Sequence, residues 1–146
     1  MVVNKVSLPI KFQMALPPSQ IRGNNRSHHF VYNKHFQSYK NSAIGNLLEA
    51  INMKDLKFPY KKVLIVYTFM NNRLIDIDNF IYGMKAVQDA LSDIRIIKDD
   101  DALTISPIGK FVKCPIKDRK VLVEVWNIDN YAKVSIMGDS ELFLVL

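Results

Sequence analysis

At 146 residues the chain is long enough for one domain with a real hydrophobic core, and 49% hydrophobic with 23% charged residues is a globular balance. Twenty Lys and Arg against 14 Asp and Glu give a formal charge of +6, which points toward an acidic partner, nucleic acid foremost. The single cysteine, Cys114, excludes an intrachain disulfide and a thiolate zinc cage, and no segment has the roughly 20 apolar residues of a membrane span. Residues 1–12 lack a basic stretch followed by an uninterrupted apolar one, so no secretory signal is expected and a reducing, cytoplasmic setting fits.

Residues 5–16 read as a strand, with Val6, Leu8, Ile10, Phe12 and Met14 alternating; Pro9 suits an edge, and Pro17-Pro18-Ser19 ends it. Residues 19–35 read as a loop. Arg22, Arg26, His28, His29, Lys34 and His35 make it a basic arm with Phe30 and Tyr32 interleaved. That mixture suits phosphate contacts with base or sugar packing; a polar connector is the plainer account. Residues 34–53 are expected to be helical, because Phe36, Tyr39, Ala43, Leu47, Ala50 and Ile51 recur at helical spacing. Residues 62–70, KVLIVYTFM, are the candidate central strand.

A turn at 71–75 leads to Asp76. The spacing of Phe80, Met84, Val87 and Leu91 predicts one helix over 79–91, although Gly83 weakens it by about 1 kcal/mol relative to alanine. A connection follows at 92–101, a strand start at 102–105, a turn at 107–109, and a continuing strand at 111–114. Residues 120–126 alternate as a clear strand, and apolar runs at 134–137 and 142–146 close the chain. The mixture of elements predicts an α+β fold, a mixed β-sheet with two main helices in a single domain.

Seven of the 14 acidic residues lie within residues 71–105: Asp76, Asp78, Asp89, Asp93, Asp99, Asp100 and Asp101. Carboxylates gathered in a basic body suit metal-dependent phosphodiester chemistry, in which the acids hold hard cations and the basic surface holds the polyanion. Asp76 and Asp78, two apart, share a side in an extended segment, and Asp78 before a helix is also a natural N-cap. If the following helix returns the chain, Asp101 is expected to face Asp76 and Asp78. Lys85 on that helix is placed to stabilise charge on the phosphate.

These residues resemble the RusA family of Holliday junction resolvases. The likeness rests on D-I-D-N at Asp76 to Asn79, K-A-V-Q-D-A-L at Lys85 to Leu91 and D-D-A at Asp100 to Ala102, with Leu16-Pro17-Pro18-Ser19, asparagine and Arg26 upstream. It covers roughly residues 7–127, the expected nuclease domain 1–127. Residues 128–146 extend beyond it, packed on the same domain or at a dimer contact. The resemblance implies a small, basic homodimer that cleaves four-way DNA junctions with Mg²⁺, or Mn²⁺ in its place. By position it makes Asp76, Asp78 and Asp101 metal ligands with Asp100 assisting, and makes Lys85 the lysine near the scissile phosphate. Of the basic run that the family often carries ahead of DxD, Arg73 stands here, so the expected DNA contacts are Arg22, Arg26, Lys34 and Arg73.

The stretch from Asn79 to Lys85 is three residues longer than the family spacing, about 4.5 Å of helix. Tyr82 therefore stands where the shorter spacing puts the lysine, unless an irregular turn absorbs the difference. The expected function is a Mg²⁺-dependent endodeoxyribonuclease acting on four-way junctions in recombination and repair. The alternatives are a non-catalytic DNA-binding module, whose acids are caps and turns, and a metal-dependent nuclease for other branched or flap substrates.

Overall fold

Residues Val63–Asn71 (β2) are rich in β-branched and aromatic side chains, a composition suited to a pleated, buried surface. They form the interior of a four-stranded mixed sheet in the order β1-β4-β2-β3. This is a computed structural model; it describes residues 9–23, 28–51, 56–129, 131–136 and 139–144, the last two segments by backbone alone. The outer strands are β1 (Ile10–Met14) and β3 (Ile105–Lys113), and β4 (Lys120–Asn127) lies between β1 and β2. β4 is antiparallel to both neighbours, whereas β2 and β3 run parallel.

Parallel neighbours need a crossover, because a tight turn can join only antiparallel strands. Helices α2 (Ile77–Gly83) and α3 (Lys85–Asp93) supply it. The long helix α1 (His29–Ile51) packs against α3 and β1, burying Tyr39, Ala43 and Leu47, four residues apart on one stripe. Lys40 on α1 meets Asp93 at the end of α3 at 2.8 Å. The odd-numbered residues Val63, Ile65, Tyr67 and Phe69 of β2 join Val121, Val123 and Val125 of β4 in the same core. Among the described residues, no helix is long and apolar enough to cross a membrane.

The α+β class and mixed sheet are as the sequence predicts. Several local expectations are corrected. Within the basic loop expected at 19–35, Ser19–Ile21 is a 3₁₀ turn and α1 already begins at His29, so Phe30 and Tyr32 are helical; residues 24–27 lie outside the described residues. The turn expected at 107–109 is continuous strand. β3 is an edge, so Pro107 withholds no hydrogen bond that a second neighbour needs. The connection at 92–101 buries Ile96 and Ile97 completely and pairs Ile97 with Tyr60 in a short parallel bridge. Beyond β4, β5 (Tyr131–Ile136) and β6 (Asp139–Leu144) form a separate antiparallel hairpin, where the sequence has its last apolar runs.

Candidate functional site

The D-I-D-N motif opens the crossover. Asp76 has extended backbone, and its side chain accepts a hydrogen bond from the Asp78 N–H at 3.2 Å, making Asp76 the N-cap of α2. Asp78, expected as the cap, instead sits in the first helical turn, where an acid complements the positive end of the helix dipole. Both side chains are exposed.

The single helix expected over 79–91 is broken at Met84. The Met84 N–H bonds Ile81 O at 2.9 Å, and the Val87 N–H bonds Met84 O at 2.9 Å, three-residue steps that interrupt the regular helical ladder. Two properties of Gly83 and Met84 account for the position. Glycine is a weak helix former, and a Cβ on Gly83 would lie 2.8 Å from Pro17 Cβ, so the close approach of the Pro17 turn requires glycine there. Met84 is wholly buried. An irregular turn thus separates α2 from α3 and makes Lys85 the first residue of a fresh helix.

Lys85 Nζ lies 3.3 Å from Asp100 Oδ2 and 3.5 Å from Asp89 Oδ1, one helical turn away. Asp89 and Asp100 thus flank the same ammonium group. Burial raises the Asp89 pKa and the bond with Asp100 raises it further, against the pull of Lys85. Asp100 moves the other way, chiefly because Asp89 donates to it. Burial alone would lower Lys85, but its two carboxylates outweigh that and hold it above its ordinary value. Tyr82 is exposed at the end of α2, near Tyr32 of α1, whose hydroxyl pKa is raised, first by burial and then by the neighbouring Tyr82. Asp89 was not among the expected site residues, although its spacing of four from Lys85 was the available signal; Tyr32 was expected as an aromatic of the basic arm and not as a neighbour of Tyr82.

Asp101 has a different occupation. Its Oδ1 accepts the N–H groups of Leu103 and Thr104 at 2.9 Å each and the Thr104 hydroxyl at 3.0 Å, fixing the turn into β3. The expectation that Asp101 faces Asp76 and Asp78 is corrected by the strand directions. Asp76 follows the end of β2, Asp101 precedes the start of β3, and parallel strands put that end and that start at opposite ends of the pair. Among the described residues, no three His, Cys, Asp or Glu side chains form a group that could hold a metal ion. Asp76, Asp78 and Asp101 therefore do not fit a single preformed ion site.

The expected DNA contacts separate. Arg22 follows the 3₁₀ turn, donates from Nε to Pro17 O at 2.9 Å and lies over the Phe80 ring at 4.2 Å. Arg22 and Arg73 line one groove of about 250 Å³ together with Asn71, Asp76 and Asn79. Lys34 is on an exposed face of α1 and does not line this groove. Arg26 lies outside the described residues.

No family model matches the chain, and no curated protein matches it.

Proposed function

We propose that the chain is a RusA-like endodeoxyribonuclease that acts as a homodimer on four-way DNA junctions in the cytoplasm. The observation that carries this reading is the meeting of two motif elements. Lys85 of K-A-V-Q-D-A-L contacts Asp100 of D-D-A across a separation of 15 residues and pairs with Asp89 one turn further along the same motif, and D-I-D-N opens the same crossover. A two-fold dimer suits the substrate, since resolving a four-way junction needs two symmetry-related cuts.

The chain's own contribution is electrostatic. Lys85, held at the head of α3, supplies a fixed positive charge where a phosphate gains negative charge during cleavage. Arg22 and Arg73 in the groove beside Asp76 supply contacts for the flanking backbone. The resemblance implies Mg²⁺, or Mn²⁺ in its place, with Asp76, Asp78, Asp100 and Asp101 as its expected ligands. Their carboxylates are distributed between the two ends of the crossover.

A second reading is a DNA-binding module without catalysis. It is favoured by the backbone duties of Asp76 and Asp101, each of which already accepts main-chain N–H groups. Incubating a labelled synthetic four-way junction with the full chain, with and without Mg²⁺, separates the readings. Paired nicks dependent on Mg²⁺ support the nuclease, and binding without nicks supports the module. Preferential cutting of flaps in a substrate panel would replace the junction with another branched substrate.

A further inference from the structure

Three connections converge at one end of the sheet. Register pairs Met14 with Val121 and Met70 with Lys120, which brings together the exit of β1, the exit of β2 and the entry of β4. Between the first and third of these lies a cleft of about 420 Å³, lined by Ala15, Leu16, Arg22, Ile116, Lys117 and Arg119. Arg22 lines both this cleft and the groove at Arg73 and Asn79, so the two adjoin at its side chain. The larger cleft thus has three cationic residues in its lining and no acid; Asp118, between Lys117 and Arg119 in sequence, is exposed and does not line it.

Among the described residues, no carboxylate forms a salt bridge with Arg22, Lys117 or Arg119. Both arginines are oriented through Nε, Arg22 to Pro17 O at 2.9 Å and Arg119 to Ile116 O at 3.2 Å. That leaves the fork of terminal nitrogens, whose geometry matches a phosphate. Burial draws the Arg22 guanidinium below its ordinary pKa, the signature of a partly desolvated charge that an anionic ligand would compensate.

We infer that a nucleic-acid backbone crosses this end of the sheet, from the groove at Arg73 over Arg22 into the cleft of Lys117 and Arg119, with successive phosphates seated on the two arginines. Two adjoining basic clefts suit a chain of phosphates better than one isolated anion. The inference rests on the DNA-binding reading above and adds Lys117 and Arg119 to the residues that hold the backbone.

The test is fluorescence anisotropy of a labelled four-way junction with the full chain in EDTA, over a series of salt concentrations. Replacing both Lys117→Ala and Arg119→Ala is expected to reduce the slope of log K against log salt by about two units, roughly one for each phosphate that is no longer neutralised. Lys61→Ala, exposed before the start of β2 and so at the far end of the sheet, should leave the slope unchanged. If the chain binds the junction and the double variant binds with unaltered affinity and slope, the track is overturned and the DNA-binding reading stands. If the unaltered chain binds no junction, the DNA-binding reading falls and the track with it. Should circular dichroism show the alanine variant unfolded, Lys117→Gln with Arg119→Gln, which keeps long polar side chains, gives the same readout.

Discussion

Lys85 Nζ stands 3.3 Å from Asp100 Oδ2, joining the first turn of α3 to the segment that leads into β3. The contact follows from the break at Met84, which starts a new helix at Lys85 rather than continuing the old one. Under the nuclease reading, Lys85→Ala is expected to slow single-turnover junction cleavage by about 10²-fold or more, the effect of losing one preorganised charge, with binding nearly intact. Normal cutting by Lys85→Ala together with impaired cutting by Tyr82→Phe would move the role to Tyr82.

The Asp89–Asp100 pair gives a pH signature. Folding raises the Asp89 pKa from its ordinary value of 3.8, so over an interval above that value the folded chain keeps a proton that the unfolded chain has lost. The associated stability is therefore present at low pH and lost as pH rises through the folded-state pKa. Asp100, lowered from the same ordinary value, has the opposite dependence: its stabilisation is present above 3.8 and lost as pH falls through its folded-state pKa. Asp89→Asn keeps a donor toward Asp100 without the titrating proton. Wild-type stability should fall relative to this variant as pH rises above 3.8, read from urea midpoints over a pH series. A constant difference would contradict the shared proton.

The carboxylates at Asp76 and Asp101 can be separated from their backbone duties. Asparagine caps helices about as well as aspartate, so Asp76→Asn should leave stability unchanged, whereas Asp76→Ala should cost about 0.5–2 kcal/mol. Under the nuclease reading, Asp76→Asn, Asp78→Asn and Asp101→Asn each abolish cleavage while junction binding survives or tightens. Wild-type cutting by the Asp76 and Asp101 variants would leave those acids as caps and turns.

Gly83→Ala sets helix propensity against packing. Propensity favours alanine by about 1 kcal/mol, but the new Cβ would meet the rigid Pro17 ring at 2.8 Å. Overpacking of this kind costs about 1–3 kcal/mol, so the urea midpoint is expected to fall. A rise would mean that the Pro17 turn yields freely.

The elements set by local chemistry were legible in the residues. β2 and β4 announce themselves by β-branched runs and alternation, and the stripe of Tyr39, Ala43 and Leu47 marks α1, because side-chain periodicity is fixed by the backbone element itself. The start of α1 was hidden, since residues 19–35 read as a polar arm, and of its first turn only Tyr32 packs against the core. Pro107 looked like a turn because sequence does not say which strand is an edge. Clustering of the acids was visible as composition; their partners were not. Strand direction separates Asp101 from Asp76, and a glycine shaped to Pro17 breaks the crossover before Lys85. Contacts between residues distant in sequence depend on register and direction, which the chain acquires only when the whole sheet and its covering helices pack together.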